Sequence, residues 1–225
     1  MTIGVMFFVI YFFKVKEVFQ MKYEWKKQDK NLYGAKTTPN LISIPSQNYI
    51  MIDGKGNPND SDFSNRVSAL YSLAYAIKMR YKKSKDKGKS EDDIDDFAVY
   101  PLEGVWSLTE GTQLVKENLE YTIMIRQPDF ISREMFVAAL EQVKIKKPSP
   151  LFDEIYFDTM QNGMCIEVLH IGSFDDEPYS FEKMKQYAEA NNLQYDKKKH
   201  REIYLNNVNR VEQSKLKTIL RYLII

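Results

Sequence analysis

The chain is best interpreted from a segment near its end, His200-Arg201-Glu202-Ile203-Tyr204-Leu205-Asn206-Asn207, which Lys215-Leu216-Lys217-Thr218-Ile219-Leu220-Arg221 follows. Alternation with a period of two predicts a strand that carries Glu202 and Tyr204 on one face and the odd-numbered residues on the other. A carboxylate beside a phenol either faces solvent or lines a cavity. In a cavity the pair can bind a cation, polarise a ligand or activate a water. Alternation alone does not choose between these two positions.

The composition excludes several classes of protein. Hydrophobic residues make up 44% of the 225 residues, enough for a packed core in one large domain or two small ones. Lysine and arginine together number 32 against 31 aspartates and glutamates, so no basic surface for nucleic acid or an anionic membrane is indicated. The many aromatic residues, 15 Tyr, 13 Phe and 2 Trp, suit an aromatic pocket, although a large core explains most of them.

Cysteine and histidine are too few for a disulfide framework or a zinc site. Cys165 is the single cysteine and lies in an apolar run, which favours a buried, inert thiol. The two histidines, His170 and His200, have no cysteine cluster or metalloprotease spacing around them. Kinase and redox motifs are also missing from the sequence. We therefore predict neither a metal nor a cofactor.

Residues 1–20 differ from the rest of the chain. Ile3 to Phe13 is an apolar run of about eleven residues, against the roughly 20 that span a bilayer. It lacks the charged start and cleavage site of a secretory signal. We favour a gene start placed too early, with Met21 as the initiator, and keep a short membrane-associating segment as the alternative. Neither implies stable membrane insertion, and a cytoplasmic location is expected.

The first half of the chain predicts a strand, a long helix and two further strands. Leu41 to Asp53 is strand-like with a break at Pro45. A helix is predicted from an apolar stripe at helical spacing, which consists of Phe63, Val67, Leu70, Ala74, Ile77 and Tyr81. The charged residues 82–96 predict a mobile surface loop. Strands are expected over 97–106 and 120–126.

The second half predicts the same order of elements. Ser132 is expected to cap a connecting helix, and residues 144–150 are predicted to form a linker. The helix and the linker together cover residues 130–150. The next predicted elements are a strand over 163–172 and a helix that packs Phe181, Met184 and Ala188. Strands over 200–206 and 216–225 complete the second half. We therefore predict an α+β fold of two strand-helix-strand-strand repeats, about 41–127 and 163–225, with pseudo-twofold symmetry. Helices on one face would leave a concave opposite face, with a ligand pocket between the halves.

Four segments resemble the GyrI-like small-molecule-binding proteins. They are Tyr100-Pro101-Leu102-Glu103-Gly104-Val105-Trp106, Met124-Ile125-Arg126-Gln127-Pro128-Asp129-Phe130, Leu169-His170-Ile171-Gly172-Ser173-Phe174 and the C-terminal pair quoted above. The resemblance covers Met21 to the C-terminus and implies a single two-repeat α+β domain of the SHS2 type over 21–225. It implies a pocket of aromatic residues around one acidic residue. Members of the family are effector-binding modules of transcription regulators, gyrase-inhibitory proteins or drug binders, and some stand-alone members hydrolyse cyclopropane rings in DNA-alkylating natural products.

Carried over by position, the acidic pocket residue is Glu202. A carboxylate held among aromatic rings is desolvated, which favours attraction of a flat cation or general-base activation of a water. Tyr204 shares its face and can donate a hydrogen bond to a ligand carbonyl. Glu202 and Tyr204 are therefore the candidate catalytic residues.

The resemblance also supplies candidate ligand-binding residues, which are Trp106, Tyr100, Met124, Phe130 and His170. Trp106 and Tyr100 suit stacking on a planar ligand, with core packing as the alternative for both. For His170 the alternative is a hydrogen-bonded histidine at a strand end. The sequence departs from many relatives at Arg201, where a second histidine is common, and at Ser107, where a second aromatic is frequent.

Three functions stay open at this point. The chain is expected to bind a planar, aromatic or cationic small molecule, and either to hydrolyse it or only to sequester it. A contact with a topoisomerase is the third, lesser possibility. Direct DNA binding is not expected, because twenty residues before Lys22 cannot hold a helix-turn-helix.

Overall fold

The computed structural model describes residues 21–85, 94–109, 111 and 115–225. The apolar run before Met21 and most of the charged run after Lys85 lie outside these residues. Among the residues that are described, no helix has the length and apolar character needed to cross a bilayer.

Ten strands and six helices make up the described chain. The strands are β1 Met21–Tyr23, β2 Asn40–Ile44, β3 Gln47–Lys55, β4 Ile94–Phe97, β5 Leu102–Leu108, β6 Leu119–Gln127, β7 Tyr156–Met160, β8 Gly163–Ile171, β9 Lys199–Tyr204 and β10 Lys217–Leu223. The helices are α1 Trp25–Gln28, α2 Lys30–Tyr33, α3 Ser61–Lys85, α4 Arg133–Lys146, α5 Leu151–Glu154 and α6 Glu177–Ala190. The α+β class is thus confirmed.

Eight strands form one curled antiparallel sheet in the order β2-β8-β10-β9-β5-β6-β3-β7. In the first half the chain runs β3, α3, β5, β6, and in the second half β8, α6, β9, β10. The two sets of three strands therefore have the same internal order and meet where β5 pairs with β9. In that pair Gly104 lies opposite Glu202 and Trp106 opposite His200. The junction of the halves is the place where Glu202 was expected.

The outer strands link the two ends of the sheet. β2 pairs with β8 and β3 pairs with β7, both antiparallel. The register continues across the break between β2 and β3, since Ile44 pairs with Gly163 and Gln47 pairs with Met160. The break predicted at Pro45 therefore separates two strands that share one long ladder, and the sheet curls into a half-barrel.

Helices α3 and α6 pack on the same face of the sheet. Leu70 and Leu73 of α3 belong to the large core cluster that includes Ile50 and Ile123. On the other half, α6 packs Met184 and Ala188 on the sheet residues Ile166, Val168 and Leu220. Because Leu220 lies opposite Glu202 in the β9–β10 pair, Glu202 points to this same face. This differs from our expectation of a pocket on the face opposite the helices.

Several boundaries differ from the predictions. The charged residues 82–85 continue α3 and 144–146 continue α4, since lysine and serine side chains on a solvated face do not end a helix. Residues 94–96 of β4 were predicted as loop, but β4 pairs with β1 in a separate two-stranded parallel sheet. β7 was not predicted, because its ladder with β3 depends on residues distant in sequence. Ser132 caps α4 as predicted, its hydroxyl accepting from the Met135 N–H.

Candidate functional site

Glu202 lies in the middle of β9 at the junction of the two halves, with 8% of its surface exposed. Its two carboxylate oxygens have different partners. Nε2 of His200 is 2.8 Å from Oε1, and the Tyr204 hydroxyl donates to Oε2 over 2.7 Å. Alternation brings the three side chains to one face of β9, because they are two residues apart. Each carboxylate oxygen keeps a second lone pair for a water or a ligand.

Trp106 extends this arrangement from the neighbouring strand. Its indole Nε1 donates to the Tyr204 hydroxyl oxygen over 3.0 Å. The four side chains Trp106, Tyr204, Glu202 and His200 therefore form one chain of hydrogen bonds across β5 and β9, which we call the Glu202 site. A chain of this kind polarises its members and holds each in one orientation.

Aromatic rings surround the Glu202 site. Trp106 packs on Phe63 of α3 and on Tyr121, with ring centroids 5.7 and 5.1 Å apart. On the other side, Phe174 meets the Tyr204 ring edge-on at 5.9 Å, and Phe181 of α6 meets His200 at 4.8 Å. Phe174 is 41% exposed, so this apolar ring borders solvent at the edge of the Glu202 site. Such surroundings suit a flat, apolar ligand with a few polar atoms.

The Tyr204 hydroxyl remains a donor throughout the usual pH range. Burial raises its pKa well above 10, and the nearby Glu202 charge raises it further. A tyrosine in this state donates a hydrogen bond and does not act as a phenolate nucleophile.

Three of the predicted ligand-binding residues lie away from the Glu202 site. Met124 is fully buried on the opposite face of the sheet, in a cluster with Tyr49 and Met51. Tyr100 donates to Asp29 over 2.6 Å and stacks on Trp25. Phe130 packs on Tyr81, Phe97 and Tyr23 near the end of α3. Membership of a family motif therefore did not by itself place a residue at the Glu202 site.

His170 shares the face of Glu202 but has both ring nitrogens engaged. Nδ1 is 2.9 Å from the Ser180 hydroxyl on α6, and Nε2 is 2.9 Å from the Ser173 carbonyl oxygen. These contacts hold the start of α6 against β8. This geometry matches the structural alternative for His170 stated above.

The opposite face of β9 carries buried charge. Arg201 Nε donates to Glu103 Oε2 over 2.8 Å, and its guanidinium also contacts the Tyr49 hydroxyl. Tyr33 donates to the other oxygen of Glu103 over 3.2 Å. This cluster is distinct from the Glu202 site because Arg201 and Glu202 point to opposite sides of the sheet.

Two open surface cavities lie elsewhere. One, of about 720 Å³, lies between α1, α2 and the loop before β10, with Trp25, Lys30 and Lys215 in its wall. The other, of about 1150 Å³, lies between α3 and α4 around Tyr75 and Met79. Neither includes a residue of the Glu202 site. We assign the site to Glu202 on its hydrogen bonding and aromatic surroundings, because cavity size alone identifies no chemistry.

Gly104 controls the position of the Trp106 ring. A Cβ at Gly104 would lie 2.6 Å from the indole Nε1. Gly104→Ala is therefore expected to displace the indole, break its bond to Tyr204 and shift the indole N–H resonance of Trp106, while that of Trp25 is unchanged. Val105→Ala, on the other face of the same strand, is the control. An unmoved Trp106 resonance in Gly104→Ala would contradict this account of the site.

Comparison with known proteins places the chain in a family. Residues 37–223 match the GyrI-like small molecule binding domain, and the chain belongs to this family. A protein of known structure from Listeria innocua, described as an uncharacterised conserved protein, is 34% identical, with a TM-score of 0.81 over 90% of this chain and 100% of its own. Two Listeria innocua proteins described as hydrolases are 32% and 33% identical, with TM-scores of 0.78 and 0.80 over 90% and 91% of this chain and 100% of theirs.

More distant similarity is limited to the fold. The C-terminal domain of EcmrR is 12% identical with a TM-score of 0.51. The search of curated proteins found no match to this chain. No group of three His, Cys, Asp or Glu side chains suited to a metal ion occurs in the part of the chain that the structure describes.

Proposed function

We propose that this protein binds planar, electrophilic small molecules at the Glu202 site and hydrolyses them, with cyclopropane-bearing DNA-alkylating compounds as the substrate class. The observation that carries the proposal is the hydrogen-bonded chain Trp106–Tyr204–Glu202–His200 among aromatic rings. It combines a carboxylate that can accept a proton with a phenol that can donate a hydrogen bond. The ligand would stack on the surrounding rings, and detoxification would be the result of turnover.

The chemistry follows from these two groups. Glu202 takes a proton from a water as the water oxygen bonds to the cyclopropane CH₂ carbon. The strained C–C bond breaks, and its electron pair moves through the conjugated ring to the carbonyl oxygen. The Tyr204 hydroxyl, which donates to Glu202 in the present arrangement, rotates to stabilise the negative charge on that oxygen. The oxygen takes a proton from solvent and Glu202 returns its proton to solvent, which completes the addition of water.

Two further observations support this proposal. The chain shares about a third of its residues with two proteins described as hydrolases, each of them covered over its whole length. The family as a whole is described by small-molecule binding. The same family description favours a second candidate, a module that binds and sequesters its ligand without turnover.

The test is a product assay on the purified chain. Wild-type protein is mixed with a cyclopropane-bearing alkylating compound, and ring-opened product is followed by mass spectrometry. Tyr204→Phe removes one donor to the developing oxyanion, so a rate loss on the order of 10²-fold is expected. Tyr222→Phe is the matched control, because Tyr222 lies on the same face in the Phe181 and Tyr195 aromatic cluster.

The outcomes separate the two candidates. Multiple turnovers by wild type and Tyr222→Phe, with slow turnover by Tyr204→Phe, support hydrolysis. Saturable binding of flat cationic compounds in a thermal-shift panel, with no product, supports sequestration instead. Neither product nor binding would contradict both.

A further inference from the structure

Three residues near the start of α6 lie beside the Glu202 site, namely Phe174, Glu177 and Phe181. Phe174 meets the Tyr204 ring and Phe181 meets the His200 ring. Glu177 is the first residue of α6 and lies between them in the chain, after the short turn that holds Phe174 and one helical turn before Phe181. Phe174 and Phe181 contact the rings on either side of Glu202, and Glu177 is close enough to Glu202 and Tyr204 to interact with both electrostatically.

Glu177 is buried without a full set of partners. Only 6% of its surface is exposed, and its Oε1 has no hydrogen-bond partner among the described residues. A buried carboxylate oxygen without a donor is costly, whereas a protonated carboxyl carries no net charge and brings its own donor. Glu202, in contrast, is hydrogen-bonded through both oxygens. Of the two carboxyls, Glu202 is thus better suited to hold the negative charge.

The electrostatics agree with this geometry. Burial, together with the nearby charges of Glu202 and Asp175, raises the pKa of Glu177 to about 9. The N-terminus of α6 opposes this effect, since helix dipoles favour an anion there. The effect of the helix terminus on the pKa is smaller than that of burial beside a second carboxylate.

We propose that Glu177 is the second acid of the site, a protonated carboxyl that donates its proton to the ligand opposite the Glu202 carboxylate. This inference rests on the proposed function and adds a proton donor to it. Glu177 was not among the site residues predicted from sequence, and its position between Phe174 and Phe181 in the chain was the signal that could have identified it.

The second acid completes the proton balance of the reaction. Glu202 accepts a proton from the attacking water, and the water oxygen bonds to the cyclopropane carbon. The electron pair of the broken C–C bond reaches the conjugated carbonyl oxygen, which takes the proton of Glu177. The products are a neutral alcohol and phenol, with Glu177 anionic and Glu202 protonated. Proton exchange with water restores the starting state.

Other titratable groups border this region. Those that face the start of α6 are Glu202, Tyr204 and His200 on β9, His170 on β8, and Asp175 and Asp176 in the preceding turn. Tyr204 titrates well above pH 10. A transition near pH 9 that disappears with Glu177 is therefore assigned to Glu177.

The first experiment measures the proton directly. In protein with ¹³C-labelled glutamate side chains, one carboxyl resonance is expected to titrate near pH 9. It should be missing from Glu177→Gln and should titrate at lower pH in Glu202→Gln, because a neighbouring charge is removed. Titration of every glutamate below about pH 6 would overturn the proposal, with or without turnover.

The second experiment tests whether the reaction uses the proton of Glu177. Wild-type hydrolysis is expected to fall as pH rises through about 9, where Glu177 loses its proton, and Glu177→Gln is expected to be at least about tenfold slower without that alkaline limb. Glu182→Gln, exposed on the same helix, is the control. An unchanged rate and pH profile in Glu177→Gln would overturn the role of Glu177 while leaving hydrolysis at Glu202 in place.

Absence of turnover by wild type would contradict the proposed hydrolysis and not the second acid. The dissociation constant of the same carbonyl-bearing compound then replaces the rate. It is expected to increase above pH 9 in wild type and to stay constant in Glu177→Gln, whose amide keeps its donor. A pH-independent wild-type constant would overturn the inference.

Discussion

Glu202→Gln is expected to abolish hydrolysis while the protein remains folded. A glutamine has nearly the same shape and still reaches His200 and Tyr204, but it cannot accept a proton from water. The loss of a general base lowers rates by about 10²- to 10⁴-fold. The measurement is ring-opened product by mass spectrometry, with wild type and variant at equal concentrations of folded protein.

The control for this variant is Glu120→Gln on β6. It makes the same change of charge at a carboxylate that is half exposed and points, like its strand partner Ser107, away from the face that carries the Glu202 site. Its rate and melting temperature are expected to match wild type. Equal product from Glu202→Gln and wild type would show that the chemistry lies on another residue.

Arg201→Met is expected to lower the free energy of unfolding by about 3–5 kcal/mol. Glu103 has no exposed surface, and among the described residues the substitution removes the cation that forms its ion pair. It also removes the guanidinium donor to the Tyr49 hydroxyl. Uncompensated buried charge is among the few single changes with so large an effect. Urea unfolding of wild type and variant measures the difference.

Two further variants test the cause of this loss. Lys199→Met removes an exposed cation from the same side of β9 and is expected to change the unfolding free energy by less than about 0.5 kcal/mol. Glu103→Gln combined with Arg201→Met removes the buried charge and is expected to recover part of the stability. A loss below about 1 kcal/mol in Arg201→Met would contradict the assigned role of the ion pair.

These two predictions concern neighbouring residues with opposite functions. Alternation turns Glu202 toward the helices and Arg201 toward the inner face of the half-barrel. The Glu202 variant is expected to lower the turnover rate without lowering the free energy of unfolding. The Arg201 variant is expected mainly to lower the free energy of unfolding. β9 thus contributes to the site with one face and to the core with the other.

Much of the fold could be predicted from the sequence because its signals are local. The periods of two and 3.6 located the sheet strands except β7 and located the long helices, and Ser132 marked the start of α4. The resemblance in four segments predicted the family, which the match over residues 37–223 confirms. The shared face of Glu202 and Tyr204 also followed from alternation alone.

The candidate site could be predicted only in part. Trp106 and Tyr204 were named from sequence, but their hydrogen bond depends on the pairing of β5 with β9, almost a hundred residues apart. Met124, Tyr100 and Phe130 were named beside them, and their side chains make their contacts away from Glu202. The missed partners Glu177, Phe174 and Phe63 come from elements that pack on the sheet.

The sequence by itself determined the family, the strand and helix types, and the residue pair Glu202 and Tyr204. The tertiary structure alone decided which face of the sheet carries the helices and which side chains surround that pair. The physical reason is that backbone periodicity is written into neighbouring residues, whereas burial, hydrogen-bond partners and the pKa of Glu177 arise from groups that only the folded sheet brings together.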